Sequence, residues 1–500
     1  MGDDEIHPAL SLTRQSTTRR NIVSPPPERI SVILAFTAVA FLQGVSFATF
    51  ALVPELSIRL LPTLTTGIEG WTLNCNNIAQ MVFIPLAIFL LRKRRALPGG
   101  GVAPTGLRVI AVIAVCCQFL QSVMWYAAVL VPPHSPLINV LVILGSCSAG
   151  VCTGCVQGAC SRLSAVWFPP SERGAATGSV YASLFLGQAG ATAASLFFCS
   201  EEDIWVFLLG QLIASVLLGT LILVWFPDRP GTPACGSAKA PTGEPLLWSR
   251  DTTSTASEAG FGDESDRTVR ACGLTFQHPG LLSLLILLAV SWSTGGYQAY
   301  QQVLPLVFAD EGSAGTRSCN ETLSQQFQAD DGDLFALASG ITYAIGGPVA
   351  GVLADRYFVR RLKLLMLLCF LALGLTFGFI IFTMPPPPFL SSDTSVGVRF
   401  GPGGEYLSLF AVSLSGLFAG MTATPALELL AEAQTLSEGA SANLIMFGIQ
   451  IFAIIVTYLT NILATPGLGV ILCVSVFCCI AILLFVKEVY LRLDTAPHRY

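Results

Sequence analysis

Long apolar runs separated by short polar stretches dominate this chain. They fall near residues 30–56, 71–91, 107–130, 136–160, 174–198 and 204–226, and again near 280–309, 333–354, 362–384, 405–430, 440–464 and 467–486. A hydrocarbon layer about 30 Å thick takes roughly 20 residues of apolar helix to cross, so each run predicts a membrane-spanning α-helix. Between the sixth and seventh runs, residues 227–278 are rich in Pro, Gly, Ser and Thr without helical period, which predicts a flexible cytosolic linker. Residues 1–29, with Pro25-Pro26-Pro27, read as a disordered tail, and residues 487–500 as a second tail. The pattern predicts an all-α polytopic membrane protein of twelve helices. A six-helix half over 30–226 and another over 279–486 are expected to be pseudo-symmetric, with a substrate path between them.

Composition supports this. Of the 500 residues 53% are hydrophobic and 11% charged, with a mean hydropathy of +0.68, whereas soluble domains carry roughly a quarter charged residues. The first apolar run is too long for the core of a cleavable signal. Charge position sets the orientation. With a cytosolic N-terminus, all of the 26 Lys and Arg except Arg59, Arg317 and Arg399 fall on the cytosolic side. Both termini are then cytosolic, and Asn320-Glu321-Thr322 is a glycosylation sequon in an outer loop. Cys199 and Cys319 would share that outer side. Most of the fifteen cysteines lie inside apolar runs and act as small hydrophobes, and Cys152 and Cys155 read as helix packing. The four histidines lie outside the spans. No His/Asp/Ser or metal constellation falls within a span, so neither an enzyme nor a cofactor is expected. The expected partners are the lipid bilayer and a small-molecule substrate, with no nucleic acid, for a monomeric chain.

The segment Gly346 to Lys363 ends an apolar helix with Asp355 and then sets down Arg356, Arg360, Arg361 and Lys363. Its Gly351-x-x-x-Asp355-Arg356 spacing resembles the cytosolic loop motif of major facilitator transporters. The first half carries Arg92 to Arg95 at the equivalent position, without the acid. Three further stretches resemble solute carrier family 49, which includes the feline leukaemia virus subgroup C receptor-related proteins and the lysosomal protein disrupted in renal carcinoma. They are Phe36–Phe50, Ser161–Thr177 and Pro425–Gln450. The third lacks the family's proline, having Ala433-Gln434-Thr435-Leu436-Ser437 instead. The resemblance implies alternating-access transport of haem, a choline-like amine or a B6-type vitamin, at the plasma membrane or an endolysosomal membrane. The alternative is a non-transporting receptor or sensor on the same fold.

Polar side chains inside a membrane need a partner or an aqueous cavity. In the first span Gln43, Phe47 and Phe50 are spaced to share one helix face and are expected to line the substrate cavity. Asn74, Asn76, Asn77 and Gln80 form the densest polar patch of the first half and are expected to face the cavity, with Asn77 binding substrate. Gln188 and Gln450 sit near mid-span of the fifth and eleventh spans and are expected to be symmetry-related. The resemblance puts Gln188, Gln450, Phe47 and Tyr297 or Gln298 in the substrate cavity. Each glutamine serves equally well as interhelical glue, worth about 0.6 kcal/mol. Gly295-Gly296 permits either a local unwinding of the seventh span or close packing. Asp355 is expected to gate the cytosolic side by accepting backbone N–H groups and pairing with a cation across the half interface, with Arg356 beside it. The resemblance to major facilitator transporters implies that this partner lies near Glu172-Arg173. Glu428 and Glu438 are further gating candidates. Arg92–Arg95 is expected either to anchor topology or to latch onto Glu432 or Glu438.

Overall fold

Each of the twelve apolar runs is an α-helix in the computed structural model of the chain. The structure describes residues 28–47, 49–50, 57, 60–61, 66–91, 106–169, 172–198, 200–230, 269–271, 274–276, 279–308, 331–358, 361–383, 404–433, 438–460 and 465–485. The first half comprises α1 (Glu28–Phe47), α2 (Thr66–Leu91), α3 (Leu107–Leu130), α4 (Leu137–Trp167), α5 (Arg173–Ser195) and α6 (Glu201–Trp225). The second comprises α7 (Pro279–Phe308), α8 (Asp331–Arg356), α9 (Leu362–Thr383), α10 (Gly404–Ala433), α11 (Glu438–Thr460) and α12 (Thr465–Phe485). Eight of these helices are, within their described residues, long and apolar enough to cross a membrane. Between the halves, where a linker without regular structure is expected, β1 (Val269–Ala271) and β2 (Leu274–Phe276) pair antiparallel.

Large apolar side chains such as Leu34, Val82, Phe89, Leu217 and Leu375 point outward, as suits a lipid solvent, while amides and hydroxyls collect inside. Local chemistry sets the helix ends. Ser200 and Asp203 form a capping box at the start of α6, where three acids face the positive end of the helix dipole. The first span is shorter than expected. Its helix stops at Phe47, and the hydroxyls of Ser46 and Thr49 bond back to carbonyls one turn earlier, Thr49 reaching the Ser46 carbonyl at 3.2 Å. Phe50 lies in a turn and not on the helical face of Gln43 and Phe47.

Close helix contacts reveal the internal symmetry. A methyl on Gly44 of α1 would overlap the Leu184 carbonyl of α5, and one on Gly295 of α7 would overlap the Ile449 carbonyl of α11. The Gln188 nitrogen lies 3.0 Å from the first of these methyl positions and the Ala453 nitrogen 3.2 Å from the second. In the same way Gly150 of α4 meets the Asn76 carbonyl of α2, and Gly416 of α10 meets the Ser339 carbonyl of α8. Gly154 meets Gln80, and Gly420 meets Tyr343. The helices α1, α2, α4 and α5 thus map onto α7, α8, α10 and α11. α7 is helical across Gly295-Gly296, and both glycines serve close packing, Gly296 lying against Leu472 of α12.

Candidate functional site

Two seams join the halves, α5 against α8 on one side and α2 with α4 against α11 on the other. The α5–α8 seam begins at the end of the bundle that holds Asp355. There Gly174 and Gly178 of α5 face Gly351 and Gly347 of α8. A methyl on Gly178 would stand 2.6 Å from the Gly347 carbonyl oxygen, so the two backbones touch. Asp355 ends this crossing. Its carboxylate accepts the N–H of Ala175 at 3.2 Å, and that of Gly174, at the first turn of α5. A negative charge at a helix N-terminus contributes about 0.3–1 kcal/mol.

The cation expected for Asp355 is placed differently. Arg173 is buried and turns back to donate to the Ala165 carbonyl at 3.3 Å and the Phe168 carbonyl at 3.4 Å, satisfying the end of α4. It acts on Asp355 through its charge. Glu172 accepts from Arg29 of α1 at 2.6 Å, and the Arg29 guanidinium also lies 5.6 Å from the Phe168 ring centroid. On the second seam Asn443 of α11 donates to the Gly158 carbonyl of α4 at 3.0 Å, a polar clasp between the halves at which a larger residue than glycine would collide.

Beyond the glycine crossing, the α5–α8 seam turns aromatic. Phe185 of α5 and Tyr343 of α8 meet with ring centroids 3.9 Å apart, and Tyr181 flanks both. Tyr297 of α7 stacks on Tyr343 at 5.5 Å and 14°, with its hydroxyl 2.6 Å from Ser339 Oγ. Tyr300 packs edge-on against Phe377 at 5.6 Å. The α2–α11 seam is built of amides. Asn76, Asn77 and Gln450 are buried, and neither amide atom of any of the three has a hydrogen-bond partner within the protein. Leaving such a group unmet costs about 1–3 kcal/mol, so three in one region are stable only if something else meets them. Gln80 donates to Gln157 at 2.7 Å.

Symmetry explains the contrast. Since Leu184 maps onto Ile449, the next residues map Phe185 onto Gln450, and Gln80 maps onto Tyr343. Where one seam carries a Phe–Tyr pair, the other carries two glutamines. The same map corrects the expected equivalence of Gln188 and Gln450, because Gln188 falls on Ala453 and the two glutamines are about one turn out of register.

The expected cavity residues therefore separate. Gln43 donates to the Ala149 carbonyl and to Thr153 Oγ1, both at 3.0 Å, and ties α1 to α4 within the first half. Phe47 is buried. Phe50 packs edge-on against Trp125 at 5.0 Å, inside an apolar cluster with Leu61, Ile138 and Phe198 that belongs to the first half. Gln188 is half-buried, with its amide nitrogen unpartnered within the protein, and Gln298 is buried with its carbonyl oxygen likewise. Arg356 is exposed at the end of α8. Glu428 of α10 lies near Cys160 of α4, and Glu438 opens α11. Asn320, Cys199, Cys319 and Arg92 to Arg95 lie outside the described residues, as do the side chains of Glu432 and Glu438. Sequence reasoning missed Tyr181, Phe185, Tyr343, Asn443 and the Arg29–Glu172 pair. An aromatic residue in an apolar run reads as packing, and only the four-residue spacing of Tyr181 and Phe185 hinted at a shared face.

Twelve helices in two symmetric halves, meeting along seams of glycine, ring and amide, define a membrane-transport fold. The family model of the Major Facilitator Superfamily matches residues 70–389, more than half of the chain, and the chain belongs to that superfamily. Among solved structures, the E. coli fucose:proton symporter FucP matches with a TM-score of 0.56 at 12% identity, over 92% of this chain and 100% of its own. A bacterial homologue of the iron transporter ferroportin, in an outward-facing state, matches with a TM-score of 0.54 at 13% identity, over 91% and 98%. At these identities the likeness speaks for the fold. No curated protein matches the chain significantly. The protein is a multi-pass integral membrane transporter.

Proposed function

We propose that this protein moves a compact, ring-bearing polar solute of the B6-vitamin type across its membrane by alternating access. The observation that carries the reading is the unlike pair of seams, one aromatic and one amide, at symmetry-related places between the halves. Stacked rings offer a flat solute a face. Buried amides offer its hydroxyls and ring nitrogen both donors and acceptors. The resemblance to solute carrier family 49 supplies three solute classes, and the lining favours the B6 type. Haem brings two carboxylates that seek cations, and among the described residues the buried cations are Arg162 and Arg173, near the Asp355 end. Choline, with one hydroxyl, would leave most of the amides unmet. In this reading the Asp355 end is cytosolic and closed, and both termini lie on that side.

The test is uptake of radiolabelled pyridoxine, choline and haem into proteoliposomes. Saturable pyridoxine uptake is expected, falling about tenfold in Tyr343→Ala as one stacking contact is lost. Uptake of choline or haem in its place would overturn the solute, and no flux of any of the three would favour the receptor reading.

A further inference from the structure

Asn443 and Gly158 fix the depth of α11 against α4, and Gly150 fixes that of α2 against α4. Going from Gly158 to Gly150 along α4 climbs about 12 Å at 1.5 Å per residue. The step from Asn443 to Gln450 along α11 climbs about 10.5 Å in the same sense. Gln450 therefore stands at the level of Asn76 and Asn77, on a helix that packs against theirs. The symmetry map sets Gln450 across from Gln80, about one turn along α2 from Asn76 and Asn77, so the two routes place it within a turn of them.

We infer that Asn76 and Asn77 of α2, with Gln450 of α11, form an amide clamp between the halves. Its ligand is the uncharged, hydrogen-bonding edge of the solute, a group presenting at least two hydroxyl, carbonyl or ring-nitrogen atoms. All three side chains are at most 2% exposed, and all six of their amide atoms lack partners within the protein. Structural amides in the same bundle each have at least one partner, although the Gln43 and Gln211 amide oxygens have none. Gln43 spends its N–H groups on two neighbours of α4, Gln118 donates to Ser46 Oγ at 2.9 Å, and Gln211 donates to Thr49 Oγ1 at 3.0 Å. Those three face partners within their own half. The clamp residues sit on helices of different halves that pack together, and none of their amide atoms has such a partner. Asparagine suits this role because its short side chain fixes the donor and acceptor close to the helix, and two in succession offer different directions. Ligand bound here touches both halves, so it also favours the state in which they close on it.

The inference rests on the transport reading, and the experiment separates the two. Asn76→Leu, Asn77→Leu and Gln450→Leu are made in the full chain, and each purified protein is melted without solute and assayed for pyridoxine uptake. Leucine keeps the volume and removes the unmet polar atoms, so each variant is expected to melt above the native protein while pyridoxine uptake falls about tenfold or more. Gln43→Leu, which removes bonds that are made, melts lower. Clamp variants that melt at or below the native protein would overturn the inference, because the amides would then be structural glue. If the native protein takes up no pyridoxine, the solute assignment fails while the melting result still decides the clamp.

Discussion

A buried amide in a membrane helix carries two meanings that sequence alone leaves joined, and its partner separates them. Gln43 and Gln450 look alike as letters in an apolar run. One donates its N–H groups to Ala149 and Thr153, and the other has no partner for either amide atom within the protein. Gln43→Leu should cost about 0.6–1.7 kcal/mol of stability while leaving the KM for the solute unchanged, as read by melting and by concentration-dependent uptake. A raised KM would return Gln43 to the cavity. Phe50 belongs to the same lesson. Its spacing from Phe47 suggests a shared face only if the helix runs on, and α1 ends at Phe47 with Phe50 in a turn. Truncating Phe50→Ala opens a void beside Trp125 and should cost about 3–5 kcal/mol without altering which solute is preferred. The polarity of Asn77 and Gln450 was legible in the sequence. The aromatic wall of Phe185 and Tyr343 was not, because an aromatic residue in an apolar run carries no mark of which neighbour it will meet.

Helices were the most legible level, since a hydrophobic run of membrane length admits few other structures. Their contacts were less so. The crossing of α5 and α8 depends on four small residues, two on each helix and four apart, so that backbone meets backbone beside Asp355. Glycine at 174, 178, 347 and 351 is visible in the sequence, but nothing in the spacing says that these two helices, one from each half, meet. Gly178→Leu or Gly351→Leu should wedge this crossing open. Amide hydrogen exchange at the first turn of α5 is expected to speed up about tenfold, since its N–H groups lose Asp355. Gly210 of α6 has nothing within 4 Å of where its side chain would grow. Gly210→Leu should leave that exchange rate alone, and an equal effect from it would mean that the crossing is not what protects α5.

The halves are joined at the Asp355 end by two clasps on opposite seams. Asp355 holds the first turn of α5, and Asn443 holds the Gly158 carbonyl of α4. If the halves move as rigid bodies, both clasps must break together for that end to open, and each then contributes its own free energy to one closed-to-open equilibrium. A hydrogen bond of this kind is worth about 1 kcal/mol, or roughly a fivefold change in the open population. Asp355→Ala and Asn443→Ala should each raise the open fraction by about that factor, and the double variant by about the product, since independent sites add in free energy. Hydrogen exchange of α4 and α5 in reconstituted protein measures the fraction at both seams at once. Rigid-body opening requires that either single substitution speed exchange on both seams equally. A change confined to the substituted seam would mean that the seams open separately and that the halves flex rather than rock. The Arg29–Glu172 pair joins α1 to the head of α5 within one half, so removing it with Arg29→Gln should loosen that half without moving the equilibrium between the two.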